Sequence, residues 1–104
     1  MASLAHGFVR SNSSNVCLIT ATGAGSTAIG RIIAADTVYG ATIQATAIGA
    51  FAIGAIENTT ASTFSNNIEA TAAGAFAGGY NLNSTITSSG KGSFAFGYAA
   101  ATTI

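Results

Sequence analysis

The phrase Ile43-Gln-Ala-Thr-Ala-Ile-Gly-Ala-Phe-Ala-Ile-Gly54 returns as Ile68-Glu-Ala-Thr-Ala-Ala-Gly-Ala-Phe-Ala-Gly-Gly79. Looser copies flank the pair: Ile19-Thr-Ala-Thr-Gly-Ala-Gly-Ser-Thr-Ala-Ile-Gly30 before it and Ile86-Thr-Ser-Ser-Gly-Lys-Gly-Ser-Phe-Ala-Phe-Gly97 after it. A half copy, Ser3-Leu-Ala-His-Gly7, opens the chain. Self-similarity on this scale marks a repeat architecture. The closing glycines Gly7, Gly30, Gly54, Gly79 and Gly97 stand 23, 24, 25 and 18 residues apart. The block stays fixed while the connection changes length, as in solenoids, where strands keep register and loops absorb insertions.

Within each block the pattern alternates with period 2, whereas an amphipathic helix would need period 3.6. Two short strands per repeat follow: Ile-x-Ala-x, as in Ile19 to Thr22, then Ser/Ala-x-Ala-x-Gly, as in Ser26 to Gly30. The 13 Gly and 14 Thr also disfavour helix. The expectation is an all-β chain, a parallel β-roll or β-solenoid of about 4.5 repeats of 18–25 residues, forming one domain over 1–104.

Alternation sorts the side chains into columns. On the first strand Ile19, Ile43, Ile68 and Ile86, with Ala21, Ala45, Ala70 and Ser88, are expected to point inward. Thr20, Gln44, Glu69 and Thr87, with Thr22, Thr46, Thr71 and Ser89, are expected to point outward. On the second strand the bulky columns are assigned to the core: Leu4, Thr27, Phe51, Phe76 and Phe94, then His6, Ile29, Ile53, Gly78 and Phe96. That leaves Ser3, Ser26, Ala50, Ala75 and Ser93, with Ala5, Ala28, Ala52, Ala77 and Ala95, as a flat outer face that another sheet or subunit approaches.

Composition narrows the function classes. Six residues are charged and the formal net charge is zero, so there is no basic patch to neutralise phosphates and no expectation of a nucleic-acid partner. Low net charge also removes self-repulsion between copies. No apolar run approaches the length of a membrane span. Met1 to Arg10 lacks the apolar stretch of a signal peptide, which predicts a mature or excised fragment, or export by another route. Cys17 is the sole cysteine and excludes an internal disulfide framework.

The expected loops, Arg10 to Val16, Glu57 to Asn67 and Asn81 to Thr85, are polar. The stretch Arg31 to Thr42 is more apolar, with Ile32, Ile33, Val38 and Tyr39, and reads as an extra strand or a lateral contact. Asn12, Asn58 and Asn83 each begin an Asn-x-Ser/Thr sequon, and all three are expected outside the strand blocks. Abundant Asn, Ser and Thr in loops account for them; a glycan-decorated rod is the sharper alternative. Ile104 lies 18 residues after Ile86, so the chain ends as a first strand begins. With no polar cap, Pro or charge cluster at either end, Leu4, His6, Phe94, Phe96 and Ile104 are expected to form an assembly interface that adds the next copy head to tail.

Catalysis requires convergent titratable groups. The inventory is Asp36, Glu57, Glu69, Arg10, Arg31, Lys91, His6 and Cys17. Glu57 is expected on a loop and Glu69 on an outward strand face, a solvated pair rather than an acid/base couple. His6 lacks co-ligands for a metal, and Cys17 lacks an orienting group for nucleophilic chemistry. No cofactor is expected, and the chain does not read as an enzyme. Gly23-Ala-Gly25 is followed by neither a helix nor Lys-Ser/Thr, so it is no phosphate loop. Tyr80 and Tyr98 share a register and are expected to stack.

The recurring Ser/Ala-x-Ala-x-Gly at 3–7, 26–30, 50–54, 75–79 and 93–97 resembles the head repeats of YadA-type trimeric autotransporter adhesins, with Ser26-Thr-Ala-Ile-Gly30 the nearest match. Gly92-Ser-Phe-Ala-Phe-Gly-Tyr-Ala99 is similar to repeats in proteins of giant viruses and intracellular bacteria. The resemblance implies a parallel β-roll, often trimeric, used for display and adhesion. The longer loops, and the lack of a following coiled-coil stalk or anchor segment, depart from it. Four functions follow in order: a self-assembling filament subunit, extracellular or on a cell or virion surface; a trimeric adhesin head; an ice-binding sheet bearing Thr20, Thr22, Thr46 and Thr71; and an amyloid-like stack of separate strands. The expected partners are copies of the chain, with surface glycans or matrix components as further candidates.

Overall fold

A computed structural model describes residues 2–11, 17–34, 41–58, 66–82 and 84–100. Among these are nine strands and no helix: β1 Leu4–Ser11, β2 Cys17–Ala21, β3 Thr27–Ala34, β4 Ala41–Ala45, β5 Phe51–Asn58, β6 Asn66–Ala70, β7 Phe76–Leu82, β8 Thr85–Ser88 and β9 Phe94–Ala100. Odd strands form one sheet in the order β1-β3-β5-β7-β9, and even strands form the other, β2-β4-β6-β8. Every pairing is parallel. The registers pair equivalent repeat positions: Gly7 with Gly30, Gly54 with Gly79, Ile43 with Ile68. The chain is therefore a two-sheet parallel β-roll, and each coil runs from a short even strand through a tight turn into a longer odd strand.

The turn explains the inner glycine of each phrase. In Ala47-Ile48-Gly49-Ala50 the Ala50 N–H donates to the Ala47 carbonyl at 3.1 Å, and Gly49 has φ +64°. A hydrogen-bonded turn with positive φ at its third residue asks for glycine there. Gly25, Gly74 and Gly92 repeat the geometry at φ 66°, 67° and 64°. The turns also bond to one another. Gly49 N–H donates to the Ala24 carbonyl, Gly74 to Ile48 and Gly92 to Ala73, each at 2.9 Å. The ladder thus passes round the corner unbroken and leaves few backbone groups unpaired.

The even sheet follows the sequence reading. Ile43, Ile68, Ile86, Ala45 and Ala70 are fully buried, and Thr22, Thr46, Thr71 and Ser89 are exposed. The odd sheet reverses it. Ala28, Ala52 and Ala77 are fully buried, and Ser26, Ala50 and Ala75 nearly so, while Phe94 is 70% exposed and Leu4 51%. The small-residue face is the core, and the aromatic columns, with His6, face out.

The reason is the width of the interior. A Cβ placed on Gly30 would lie 2.6 Å from Cδ1 of Ile43 and 2.1 Å from the Gly54 carbonyl oxygen. Isoleucines from the even sheet already fill the space between the sheets, so the facing column must be Ala and Gly. Towards the loop end of the coil the sizes change over. There the odd sheet supplies buried Ile32 and Ile56, and the even sheet supplies Ala41 and Cys17. Large opposite small in each layer is how a narrow interior reaches protein-like packing.

The odd strands are also longer than expected. They run past the glycine, so Arg31, Ile32 and Ile33 belong to β3 rather than to a loop or an added strand. Glu57 and Asn58 likewise lie in β5, which corrects the placement of Glu57 on a loop and of the Asn58 sequon outside the strands. Val38 and Tyr39 are outside the described residues. The short 18-residue spacing has its own device, since Asn81 takes the core position held by Ile32 and Ile56 in earlier coils. Its Nδ2 donates to the carbonyls of Ser84 at 2.7 Å and Asn67 at 2.9 Å, and its Oδ1 accepts from the Ser84 N–H at 2.8 Å. One buried side chain thereby closes the tight connection from β7 to β8.

Candidate assembly surfaces

The outer face of the odd sheet carries stacked aromatic ladders. Phe51 and Phe76 lie with ring centroids 4.9 Å apart and 4° between planes; Phe76 and Phe94 follow at 4.6 Å and 6°. Tyr80 and Tyr98 stack at 5.2 Å and 8°, as their shared register predicts. Parallel in-register pairing forces this, because identical residues repeat at the strand spacing. Phe96 sits over Gly78, whose missing side chain makes the space. A Cβ there would lie 2.9 Å from the Phe96 ring.

Exposure changes along the stack. Phe51 and Phe76 are half-buried between neighbouring coils. The large exposed hydrophobics are Leu4, Phe8 and Val9 on β1, Leu18 on β2, Phe94, Phe96 and Tyr98 on β9, and Ile48 in a turn. All except Ile48 belong to β1, β2 or β9, strands that lie at an end of their sheet. Leu4, His6, Phe94 and Phe96, the described members of the expected interface, therefore lie on the two end strands of the odd sheet; Ile104 lies outside the described residues. Of the sequons, Asn58 is the last residue of β5, and Asn12 and Asn83 are outside the described residues.

The backbone bonds give the stack a direction. Leu4 N–H donates to the Ser26 carbonyl, Thr27 to Ala50, Phe51 to Ala75 and Phe76 to Ser93, at 2.8–3.0 Å. Each coil donates at this position to the next coil towards β9. Phe94 holds the same position on β9, where no further strand follows among the described residues.

The titratable groups are dispersed. Glu57 and Glu69 lie on different sheets. Gln44 Nε2 donates to Glu69 Oε2 at 2.5 Å, breaking the hydroxyl pattern on the outer face of the even sheet. The Tyr80 hydroxyl is held above its ordinary value by partial burial first, then by its hydrogen bond to Glu57 and that carboxylate's charge, with Arg31 opposing. Cys17 is a free, half-buried thiol. Among the described residues no three His, Cys, Asp or Glu side chains group to hold a metal, and no helix is long and apolar enough to cross a membrane.

Buried polar groups in the middle of the stack escaped the sequence reading. Asn66 and Asn81 are fully buried, and the amide nitrogen and oxygen of Asn66 make no hydrogen bond. Both extend the even and odd inward columns beyond the phrase itself; carrying the alternation two residues further each way would have found them.

Set against protein-family models, curated proteins and solved structures, the chain matches none. Of what the repeat resemblance implies, the structure shows the all-parallel β arrangement.

Proposed function

We propose that the chain is a structural subunit that self-assembles head to tail into a filament, extracellular or on a cell or virion surface. The observation that carries this reading is the confinement of exposed large hydrophobics, Ile48 apart, to the end strands β1, β2 and β9. Among the described residues no strand pairs with the outer edges of β1, β2 and β9, and with apolar side chains and no Pro on them these edges are templates for another strand. The two ends differ, so the contact is heterologous and generates an open fibre. The near-absence of net charge leaves no long-range repulsion to oppose it.

Electron microscopy of the purified chain at neutral pH tests the reading. Uniform fibres are expected from the native chain, and short particles from Leu4→Lys and from Phe94→Lys. Both sites are exposed: Leu4→Lys is expected to change stability by no more than about 0.5 kcal/mol, and Phe94→Lys, which loses its stack on Phe76, by about 0.5–1.5 kcal/mol, which leaves the fold in place. Fibres formed equally well by both variants would refute end-to-end growth.

A trimeric adhesin head is the second reading. The outward Phe51, Phe76 and Tyr80 ladders favour it, since they offer an apolar face for lateral packing between protomers. It predicts discrete trimers whose size is indifferent to the end-strand substitutions. Adhesion to surface glycans or matrix belongs to either reading.

A further inference from the structure

The filament reading leaves open how one end meets the other, and resting on that reading, the geometry points to a single register. We infer that β1 of a second copy pairs in parallel with β9, Gly7 opposite Gly97, as a sixth strand of the odd sheet. The partner is thus a second copy of this chain, and the surface is the outer edge of β9.

Three features of the two strands accord with this register. First, the internal columns continue. β7 and β9 pair Gly79 with Gly97, Ala77 with Ala95 and Tyr80 with Tyr98. β1 and β3 pair Gly7 with Gly30, Ala5 with Ala28 and Phe8 with Arg31. Matching the glycines sets Ala5 on Ala95, Leu4 on Phe94, His6 on Phe96 and Phe8 on Tyr98. Inward, Ala5, Gly7 and Val9 meet Ala95, Gly97 and Ala99; outward, Leu4 and Phe8 extend aromatic columns, and Arg10 meets Ala100 in a column that also holds Glu57. A shift by one residue would drive Phe8 or His6 into the narrow interior.

Second, the glycine is sterically required. A Cβ on Gly79 would lie 1.9 Å from the Gly97 carbonyl oxygen, and one on Gly7 would lie 1.9 Å from that of Gly30. Each glycine in this column makes room for the carbonyl of the next strand towards β9, and Gly97, the last of them, leaves the same room for a strand laid beyond β9. Third, the backbone series goes on in sense. Phe94 N–H is placed to donate to the Ser3 carbonyl of the second copy, as Phe76 N–H donates to Ser93 at 2.9 Å. The Lys91 carbonyl, equivalent to the Ala73 carbonyl that accepts from Gly92, is placed to accept from the Ala2 N–H of that copy.

Pairing β1 on β9 gives each copy five layers of odd sheet, an axial rise of ~24 Å at the usual strand spacing. In the even sheet it leaves room for one strand between β8 and β2 of the second copy.

A metal staple across the joint reads the register. In Phe96→His, His6 of one copy and the introduced imidazole of the next become adjacent on the same outer face and can share a zinc ion. Zinc is expected to lower the concentration needed for fibre growth of this variant by on the order of tenfold, and His6→Ala in the same background is expected to abolish the response. Tyr98→His, two residues away, is expected to give no His6-dependent response. A zinc response that survives His6→Ala, or one that is larger in Tyr98→His, overturns this register while fibres of the native chain leave the filament reading standing. Absence of fibres from the native chain overturns both. Should Phe96→His fail to fold, the helical rise of native fibres decides. A rise of ~24 Å, five layers, agrees with the pairing, and a rise of about 19 Å, four layers, contradicts it.

Discussion

Two kinds of glycine occupy each coil for different physical reasons, and they separate by substitution. Gly30 sits in a strand where an added methyl would meet backbone at 2.1 Å and the Ile43 tip at 2.6 Å. Gly49 sits in a turn at φ +64° with open space around it. Gly30→Ala is expected to cost about 3 kcal/mol or more, because neither backbone nor a packed isoleucine can yield. Gly49→Asn should cost no more than about 1 kcal/mol, since Asn tolerates the left-handed region. Urea denaturation of the two variants gives the comparison. At Tyr80, burial first and then the hydrogen bond to Glu57 favour the protonated phenol. The folded pKa is raised, so its stabilising contribution is complete below the ordinary value of 10.0 and is lost as pH rises through the folded value. Ultraviolet titration, with Tyr80→Phe to assign the signal, should show Tyr80 ionising above that value, and Glu57→Gln should bring it down.

At the scale of the strand, alternation was fully legible and orientation only half so. Period 2 separates Ile43, Ile68 and Ile86 from their polar neighbours, and their burial follows from size alone. The same rule fails on the odd strands. There it assigns Phe51 and Phe76 to the core, because it takes no account of how much room the isoleucines leave. The glycines carried the missing signal. They share a phase with Ala28, Ala52 and Ala77, and a column of glycines within strands marks close approach by another part of the chain. Ala52→Glu, which as a surface change would only disturb lateral packing, is therefore a charge buried in the core and is expected to unfold the chain. The buried amides behave oppositely to each other. Asn81→Ala removes the three hydrogen bonds of a buried amide and should cost about 1–3 kcal/mol. Asn66→Ala removes an amide with no hydrogen-bond partner, in a column shared with Ala41, and should be neutral or stabilising in thermal melts.

At the scale of the whole molecule, the repeat that builds the interior also builds the ends. Each coil presents to its neighbour the surface that it receives, so a stack of equivalent coils has no inherent stopping point unless its last strands are blunted. Among the described residues no strand covers β9, and its exposed Phe94 holds the position of the half-buried Phe51 and Phe76. The charge, the lack of proline and the repeat itself could be read from the sequence. The concentration of apolar exposure on particular strands could not, because it depends on which face of the odd sheet is outside. Cryo-electron microscopy of the purified native chain at neutral pH tests the central claim most directly. The account predicts continuous fibres with strand layers ~4.8 Å apart and a subunit rise of ~24 Å. Discrete particles at all concentrations would contradict it.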